Sequence, residues 1–535
     1  MILARVRRRG VTAAAVALTA NLTAGWLLAA AWLFTAAGLP AAWLAAAAIA
    51  AGCSRQAPPP RRPLRIALYN DPLALDPHLR NEVLTFSVLR NLYEALTAFD
   101  AGIKIGPALA ESWENPNELT WIFHLRRGVH FHDGRELTAT DVLFSFDRAR
   151  HAPTSNVGTY LVAIDRVRAL DRHTVEIVTA RPYPVLLHKL AFVFIVPQGS
   201  PAEIRRPVGT GPYRLVAYEP GKRLTLRAFE GYWGGVPPER EVELLPVPDP
   251  GARVRRLLAG QVDLVQDPGP ANIARVRAAP HCRVLEQDSL SVVHVIMRPD
   301  RAPFDDPRVR RAIHLAIDRR ALVEEALRGE GVPVGQMVGR NVFGYAPDIL
   351  PPAPDLARAR ALLAAAGHPD GLELEILFRP GRLPEVAALQ RQLLRAGVRL
   401  RPVERPWAEL FRRLLAGDVD FYFGAWFCLS GDASDLFDSV VHSREGARGY
   451  GASNFNRYVN PALDAMIEQS GSTLDLLARR AQLERCMRVL MDDLSFIPLY
   501  SPAIVFGVRD DLEWQPRRDG LILADTIRRR RPAGG

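Results

Sequence analysis

Between Asp355 and Phe427 the sequence passes from helical to extended periodicity three times, and that alternation limits the fold more than any other feature. Asp355 to Ala366 is an Ala/Leu helix closed by Gly367, Leu372 to Phe378 a strand, and Pro384 to Ala396 a helix closed by Gly397. Val398 to Val403, Trp407 to Leu415 and Phe421 to Phe427 continue the series as strand, helix and strand. Repeated strand–helix–strand units predict a largely parallel, right-handed α/β sheet. A similar pattern starts at Glu241, with strands at Val242 to Val247 and Val262 to Val265 around a helix from Arg253 to Leu258. Ser291 to Met297 reads as a buried strand, after which Pro299, Pro303 and Pro307 interrupt the chain. Asp306 caps the next helix with Pro307 at its first position, so composition places a lobe boundary there. A chain of 535 residues exceeds one compact core, and two or three lobes are expected.

The last strand of the series leads into the richest local chemistry. Phe421 to Phe427 is apolar and aromatic, as in a strand buried on both faces, and Ser430-Gly431-Asp432-Ala433-Ser434-Asp435 follows as a polar turn. Ligands of α/β proteins bind at strand ends. Trp426, Asp432 and Asp435 are therefore expected to form one wall of a cleft.

The amino-terminal half is read more coarsely. Leu64 to Tyr69 is a first strand, followed by a loop, Asn70 to His78, that carries Asp71 and Asp76. Leu119 to Leu125 alternates as a strand, and Thr138 with Asp141 marks the start of a helix. His124, His130, His132 and Asp133 invite a metal reading, but no further cluster follows at ligand spacing and no metal is expected. Val208-Gly209-Thr210-Gly211-Pro212-Tyr213 lacks the lysine of a P-loop and reads as a tight loop before a hairpin. Phe496 to Tyr500 offers a late strand; if it returns to the first lobe, the chain crosses between lobes more than once.

Charge excludes one class of partner. The formal net charge is +10, yet lysine occurs only at Lys104, Lys189 and Lys222, and the arginines are scattered beside carboxylates rather than gathered among stacking aromatics. Nucleic acid is not an expected partner. Cys53, Cys282, Cys428 and Cys486 fit neither a zinc pattern nor a dense disulfide framework.

Cys53 has its own reading. Arg5 and Arg7 to Arg9 precede an apolar tract from Val11 to Gly38, and a second Ala-rich tract ends at Ala50-Ala51-Gly52-Cys53. This predicts an export segment over 1–53, either of the lipoprotein type with Cys53 acylated or kept as a membrane anchor, then a Pro/Arg-rich tether over 54–63. Ala50 stands where a lipoprotein box has leucine, and Val11 to Gly38 is long enough to span a bilayer.

Several stretches in fixed order resemble the extracellular solute-binding proteins of family 5, the peptide- and nickel-type receptors of ABC importers. They include Leu109 to Glu114, Trp121 through Phe131-His132-Asp133-Gly134, Leu137 to Val142, Val208 to Tyr213, Tyr232 to Gly235, Pro303 to Arg310, Ala316 to Arg319 and Asn454 to Asp464. The resemblance implies an α/β, bilobal periplasmic-binding-protein fold of type II, cluster C, with an extra subdomain in the first lobe. Its expected divisions are 64–100, 197–298 and 495–525 for the first lobe, 101–196 for the subdomain, and 299–494 for the second lobe. It further implies that an aspartate of the 430s holds a ligand amine, which points to Asp432 or Asp435 beside Trp426, with Asn454, Asp71 and Asp76 as further cleft residues. Implied partners are a small solute, a short peptide first, and membrane permease subunits with cytoplasmic ATPases. The protein is expected to be a monomer outside the cytoplasmic membrane, anchored to it, with no cofactor.

Two other classes compete. An exported hydrolase would need a positioned nucleophile and base, and Ser430-Gly431-Asp432 has no identifiable partner histidine. A sensor without a transporter would keep the same fold. Metal chelates, opines and sugars are alternative ligands, because fold does not determine ligand. On the amine-anchor reading, Asp432→Asn with Asp435→Asn abolishes peptide binding and leaves the empty protein's melting temperature nearly unchanged.

Overall fold

A computed structural model of the chain describes residues 62–80, 82–152, 155 and 157–530. Cys53 and nearly all of the tether lie outside the described residues. None of the described helices is long and apolar enough to cross a membrane.

Twelve strands form the backbone of the molecule. In chain order they are β1 (Leu64–Leu68), β2 (Tyr213–Glu219), β3 (Arg223–Ala228), β4 (Glu241–Pro246), β5 (Leu264–Gln266), β6 (Cys282–Asp288), β7 (Ser291–Met297), β8 (Gly331–Pro333), β9 (Leu372–Phe378), β10 (Val398–Glu404), β11 (Phe421–Phe427) and β12 (Phe496–Arg509). Their hydrogen-bonded order is β10-β9-β11-β7-β12-β5-β1-β4-β3-β2, with β6 and β8 also on β12. The left half of that order is the second lobe and the right half the first.

Strand β12 explains how one path serves two lobes. Its first residues, Phe496 to Tyr500, pair with β7, and its last, Ala503 to Arg509, pair with β5 and β6. The late strand does return to the first lobe. A second crossing runs from β6 to β7 through Ser289 and Leu290. The boundary expected after residue 298 therefore lies a strand too late, and 496–500 belongs to the second lobe's sheet. Proline marks where a helix starts, whereas these crossings are made by extended chain that carries no breaker.

The sheet is also mixed rather than largely parallel. Pairs β1–β4, β1–β5, β9–β10 and β9–β11 are parallel, but β7 and β12 run antiparallel to their neighbours. Helical crossovers enforce parallel pairing only where they occur, and the two lobe crossings have none.

Burial follows strand alternation. In β11, Phe421 and Phe423 face one core with Ile376 and Leu389, while Tyr422 faces the other with Leu410 and Phe437. In β1, Leu64, Ile66 and Leu68 face one core and Ala67 the other. Both faces are covered, as long apolar strands require.

The subdomain is separate. Its four-stranded antiparallel sheet (Ala110–Asn117, Thr120–Leu125, Ile164–Asp171, Thr174–Thr179) packs on helix α1 (Ala139–His151) and the short helix α2 (Leu186–Leu190) around Phe123, Phe131 and Phe146. Thr138 and Asp141 close a capping box on α1. Helices α3 (Pro250–Leu258) in the first lobe, and α4 (Leu383–Arg395), α5 (Trp407–Ala416) and α6 (Leu476–Asp493) in the second, complete the elements that position the cleft.

Candidate ligand cleft

Parallel strands aim their carboxyl ends the same way, so the residues just past them meet in one place. In the first lobe β1 and β5 are parallel with Ala67 opposite Val265, which sets Tyr69 beside Asp267. In the second lobe β9 and β11 are parallel with Phe378 opposite Phe423, which sets Arg379 beside Gly424. The two sets face each other: Arg379 is the strongest charge acting on the Tyr69 hydroxyl, followed by Asp267 and Glu82.

Tyr69 and Arg379 share an environment typical of a concave opening. Tyr69 is 37% exposed, yet burial pushes its phenol up to about 12. Arg379 is exposed, yet burial and then the adjacent Arg382 lower its guanidinium below the ordinary value. Arg382 is matched, donating to Glu385 at 2.9 Å, and Glu385 also accepts from Tyr500. Arg379 has no hydrogen bond or ion pair among the described residues. On the first-lobe side, buried Arg253 of α3 donates to the carbonyls of Val247, Pro248 and Asp267, tying together the loops that leave β4 and β5. Asp267 itself is two-thirds exposed and 3.9 Å from that guanidinium.

The loop after β11 differs from its expected role. Asp432 is 3% exposed and accepts two hydrogen bonds from Arg479 of α6, at 2.6 and 2.8 Å, and one from the Ser434 backbone at 2.9 Å. Arg479 holds its carboxyl below the ordinary value against the opposing cost of burial. Asp435 accepts from Lys189 Nζ of α2 at 2.7 Å, both side chains nearly buried. Neither aspartate is left bare to take a ligand amine. Asp438, one turn on, is pushed up to about 6 by burial and the nearby Asp435 and Asp432, against the opposing pull of Lys189 and Arg181.

This loop is also where the lobes touch. Leu429 and Phe427 pack into the first lobe's core, and Gly431 at φ +69° lies so close to Ile103 that an added Cβ would sit 2.5 Å from its methyl. Arg181 of the subdomain donates to the Tyr450 hydroxyl. Trp426 is half-buried at the end of β11, and its buried indole N–H has no acceptor among the described residues.

The remaining expected residues split. Asp71 accepts from the Tyr218 hydroxyl and the Gly221 backbone, both at 2.8 Å, and so braces the β2–β3 turn. Asp76 is 2% exposed and tied to Arg148 of α1, the Ile204 backbone and the His78 backbone; beside it His78, lowered by burial to about 4, gives its Nε2 proton to the Phe194 carbonyl. Asn454 is fully buried, donating to the His442 and Tyr458 carbonyls and accepting from the Tyr458 backbone. Asp76 and Asn454 are thus corrected from cleft residues to internal fasteners, because every polar group they offer is already used inside one lobe.

The histidines of the first half are likewise occupied: His132 bonds the Gly211 carbonyl and accepts from the Gly209 backbone, which pins the glycine-rich loop. His442, Glu445 and Glu468 bring ligand atoms within 4.8 Å of one another, but Arg448 donates to both glutamates and already supplies the cation. A concavity of about 520 Å³ lies beside the lobe crossing, lined by Asp288, Ser289, Val332 and Ser501 among others, away from the strand ends.

Residues 104–448 match the family model described as bacterial extracellular solute-binding proteins, family 5, middle region. The chain belongs to this family. Among curated relatives of this solute-binding protein, heme-binding protein A of Haemophilus influenzae is 29% identical over 80% of this chain and 85% of its own length. A dipeptide-binding protein of Escherichia coli K12 is 28% identical over 78% and 84%. Among solved structures, the periplasmic binding protein DppA of Helicobacter pylori, in complex with the peptide STSA, superposes with a TM-score of 0.79 at 23% identity, covering 88% of this chain and 98% of that one. AgaA of A. tumefaciens R10, in complex with agropinic acid, gives 0.77 at 23% identity, with 88% and 99% covered. The bilobal fold is thereby established, and family 5 proteins are solute-binding receptors rather than enzymes.

Sequence reasoning overlooked Arg379 and Lys189. Phe378-Arg379-Pro380, an arginine directly past a buried strand, was a readable sign. Lys189 could be singled out only as one of three lysines, since its partner lies 246 residues away.

Proposed function

We propose that this family 5 protein is the capturing subunit of an ABC importer and closes its lobes over short peptides, with the ligand carboxylate on Arg379. The observation that carries this is a guanidinium at the inter-lobe strand ends with no hydrogen-bonded or ion-paired anion among the described residues. A carboxylate can meet such a group through two parallel N–H···O bonds, stronger than the same contact in open water. Asp267 of the first lobe offers the opposite charge for a ligand amine, so that a zwitterion would bridge the lobes and favour closure. The Trp426 N–H is suited to a ligand carbonyl. The peptide-binding relatives support the ligand class.

On this reading the protein binds without turning its ligand over, works as a monomer outside the cytoplasmic membrane, is held there through Cys53 or its apolar tract, and passes ligand to permease subunits driven by cytoplasmic ATPases. The experiment is mass spectrometry of what the purified protein releases on denaturation, followed by calorimetry with the peptides found. Intact peptides released and rebound are the expected result. Cleaved products would turn the reading towards a hydrolase, and release of only sugars or metal chelates would overturn the peptide assignment.

A further inference from the structure

Helix α5 is apolar on two sides. Leu410 and Leu414 face the core, as in any amphipathic helix, yet Trp407, Ala408, Phe411, Leu415 and Ala416 form a continuous exposed stripe on the outside. Trp407 is 49% exposed, Phe411 39% and Leu415 40%, and the Trp407 and Phe411 rings lie against each other, tilted by 39°, at 5.4 Å between centroids. Phe455 meets Phe411 edge-on and carries the patch off the helix. Scattered exposed apolar residues need no explanation, but three turns of them in register do.

The place of the stripe matters as much as its composition. Glu404, at the end of β10, pairs with Phe378, and the Arg405 backbone donates to the Phe378 carbonyl. Trp407 therefore starts beside the turn that carries Arg379, and α5 runs outward from the rim of the cleft. Anything that receives the ligand must cover that rim. The cation left unmatched on the stripe is Arg412, in its middle, which has no internal partner among the described residues, while Arg405 is held by Glu409 at 3.2 Å and Arg457 by the Leu415 carbonyl at 2.6 Å.

We infer that the Trp407–Phe411–Leu415 stripe with Arg412 is the second lobe's docking surface for the permease, fitting an extracellular loop that presents an apolar side chain next to a carboxylate. The inference rests on the importer reading above. An apolar patch of a few hundred Å² falls short of the roughly 800 Å² per partner of a stable complex, so this contact is transient and requires the first lobe as well.

The test is ligand-stimulated ATPase activity of the permease–ATPase complex in lipid nanodiscs, titrated with the full-length receptor. The double variant Trp407→Ala/Leu415→Ala, and separately Arg412→Glu, should raise the receptor concentration for half-maximal stimulation at least about tenfold while leaving peptide affinity and melting temperature unchanged. Leu477→Ala, at an exposed apolar position on α6, should change nothing. Unchanged stimulation by both stripe variants would overturn the inference and leave the receptor reading intact. Loss of a wild-type dimer in the variants, by sedimentation, would assign the stripe to a second copy instead. Loss of binding to phosphatidylglycerol vesicles would assign it to a membrane, and either result overturns the permease assignment. A wild-type protein that binds peptide but stimulates no ATPase would remove the importer reading and this surface together.

Discussion

Two parts of the second lobe bring charge to the boundary with the first, and they do opposite things with it. The loop from Ser430 to Asp438 carries three aspartates, of which Asp432 and Asp435 are spent on cations of the same chain, Arg479 from α6 and Lys189 from the subdomain. The turn after β9 carries two arginines, Arg382, which is matched by Glu385, and Arg379, which has no hydrogen bond or ion pair among the described residues. The acidic loop fastens; Arg379 waits. A charge lends itself to ligand recognition only while the fold leaves it unsatisfied, and a buried ion pair resists exchange because freeing one partner strands the other.

The strongest way to break this comparison is Asp432→Asn, which leaves Arg479 buried without its counter-charge. Denaturant unfolding should show a loss of about 3–5 kcal/mol. Full stability with lost peptide binding would instead return Asp432 to the role of ligand anchor, and the double substitution of Asp432 and Asp435 is no longer expected to leave the melting temperature alone.

Arg379→Ala should do the converse. Calorimetry should show peptide affinity falling by about 2–3 kcal/mol, the value of a charge-assisted contact, with the empty protein's melting temperature unmoved. A drop in stability of the same size would make Arg379 another fastener.

Lys189→Met tests the fastening between subdomain and second lobe. It leaves Asp435 nearly buried without a cation, so the empty protein should lose about 2 kcal/mol and scatter as a more open particle, in line with the value of a partly buried charge pair. Identical scattering profiles would show that Leu429, Phe427 and the Ile103 contact suffice to hold the lobes together.

The smallest effect is expected at Asp438, whose carboxyl stands at about 6 against an ordinary 3.8. Between those values the folded protein keeps a proton that the unfolded chain has released, so this group's contribution to stability is greatest below the lower value and declines as pH rises through the upper one. Asp438→Asn should flatten that decline and raise stability at pH 8 by about 1–2 kcal/mol, read as melting temperature against pH. A slope unchanged by the substitution would show that Lys189 and Arg181 already keep the carboxylate ionised.

Much of this molecule was legible from residue order alone. The capping box at Thr138, the Asp306-Pro307 helix start and the apolar run of β11 are local: a side chain bonding a backbone three residues away, or a period of two or 3.6, is written in consecutive letters. The family resemblance was legible for the same reason, since its stretches are short and ordered. The role of each charge was not. Asp432 and Asp435 sit three residues apart in a turn that reads as one acidic feature, yet their partners lie 47 residues after the first and 246 before the second. Asp76 and Asn454 read as loop polar groups and proved to be buried fasteners. The place of Arg379 just past a buried strand is legible in the sequence, but what stands opposite it is not.

The sequence by itself determined the elements, the family and the nature of the chain as a bilobal receptor, because hydrophobic period, capping and turn chemistry act over a few residues at a time. Which charges are neutralised and which remain for a ligand was decided only by the tertiary structure. Pairing depends on what folding brings within about 4 Å, and the Coulomb energy of an ion pair carries no memory of separation along the chain.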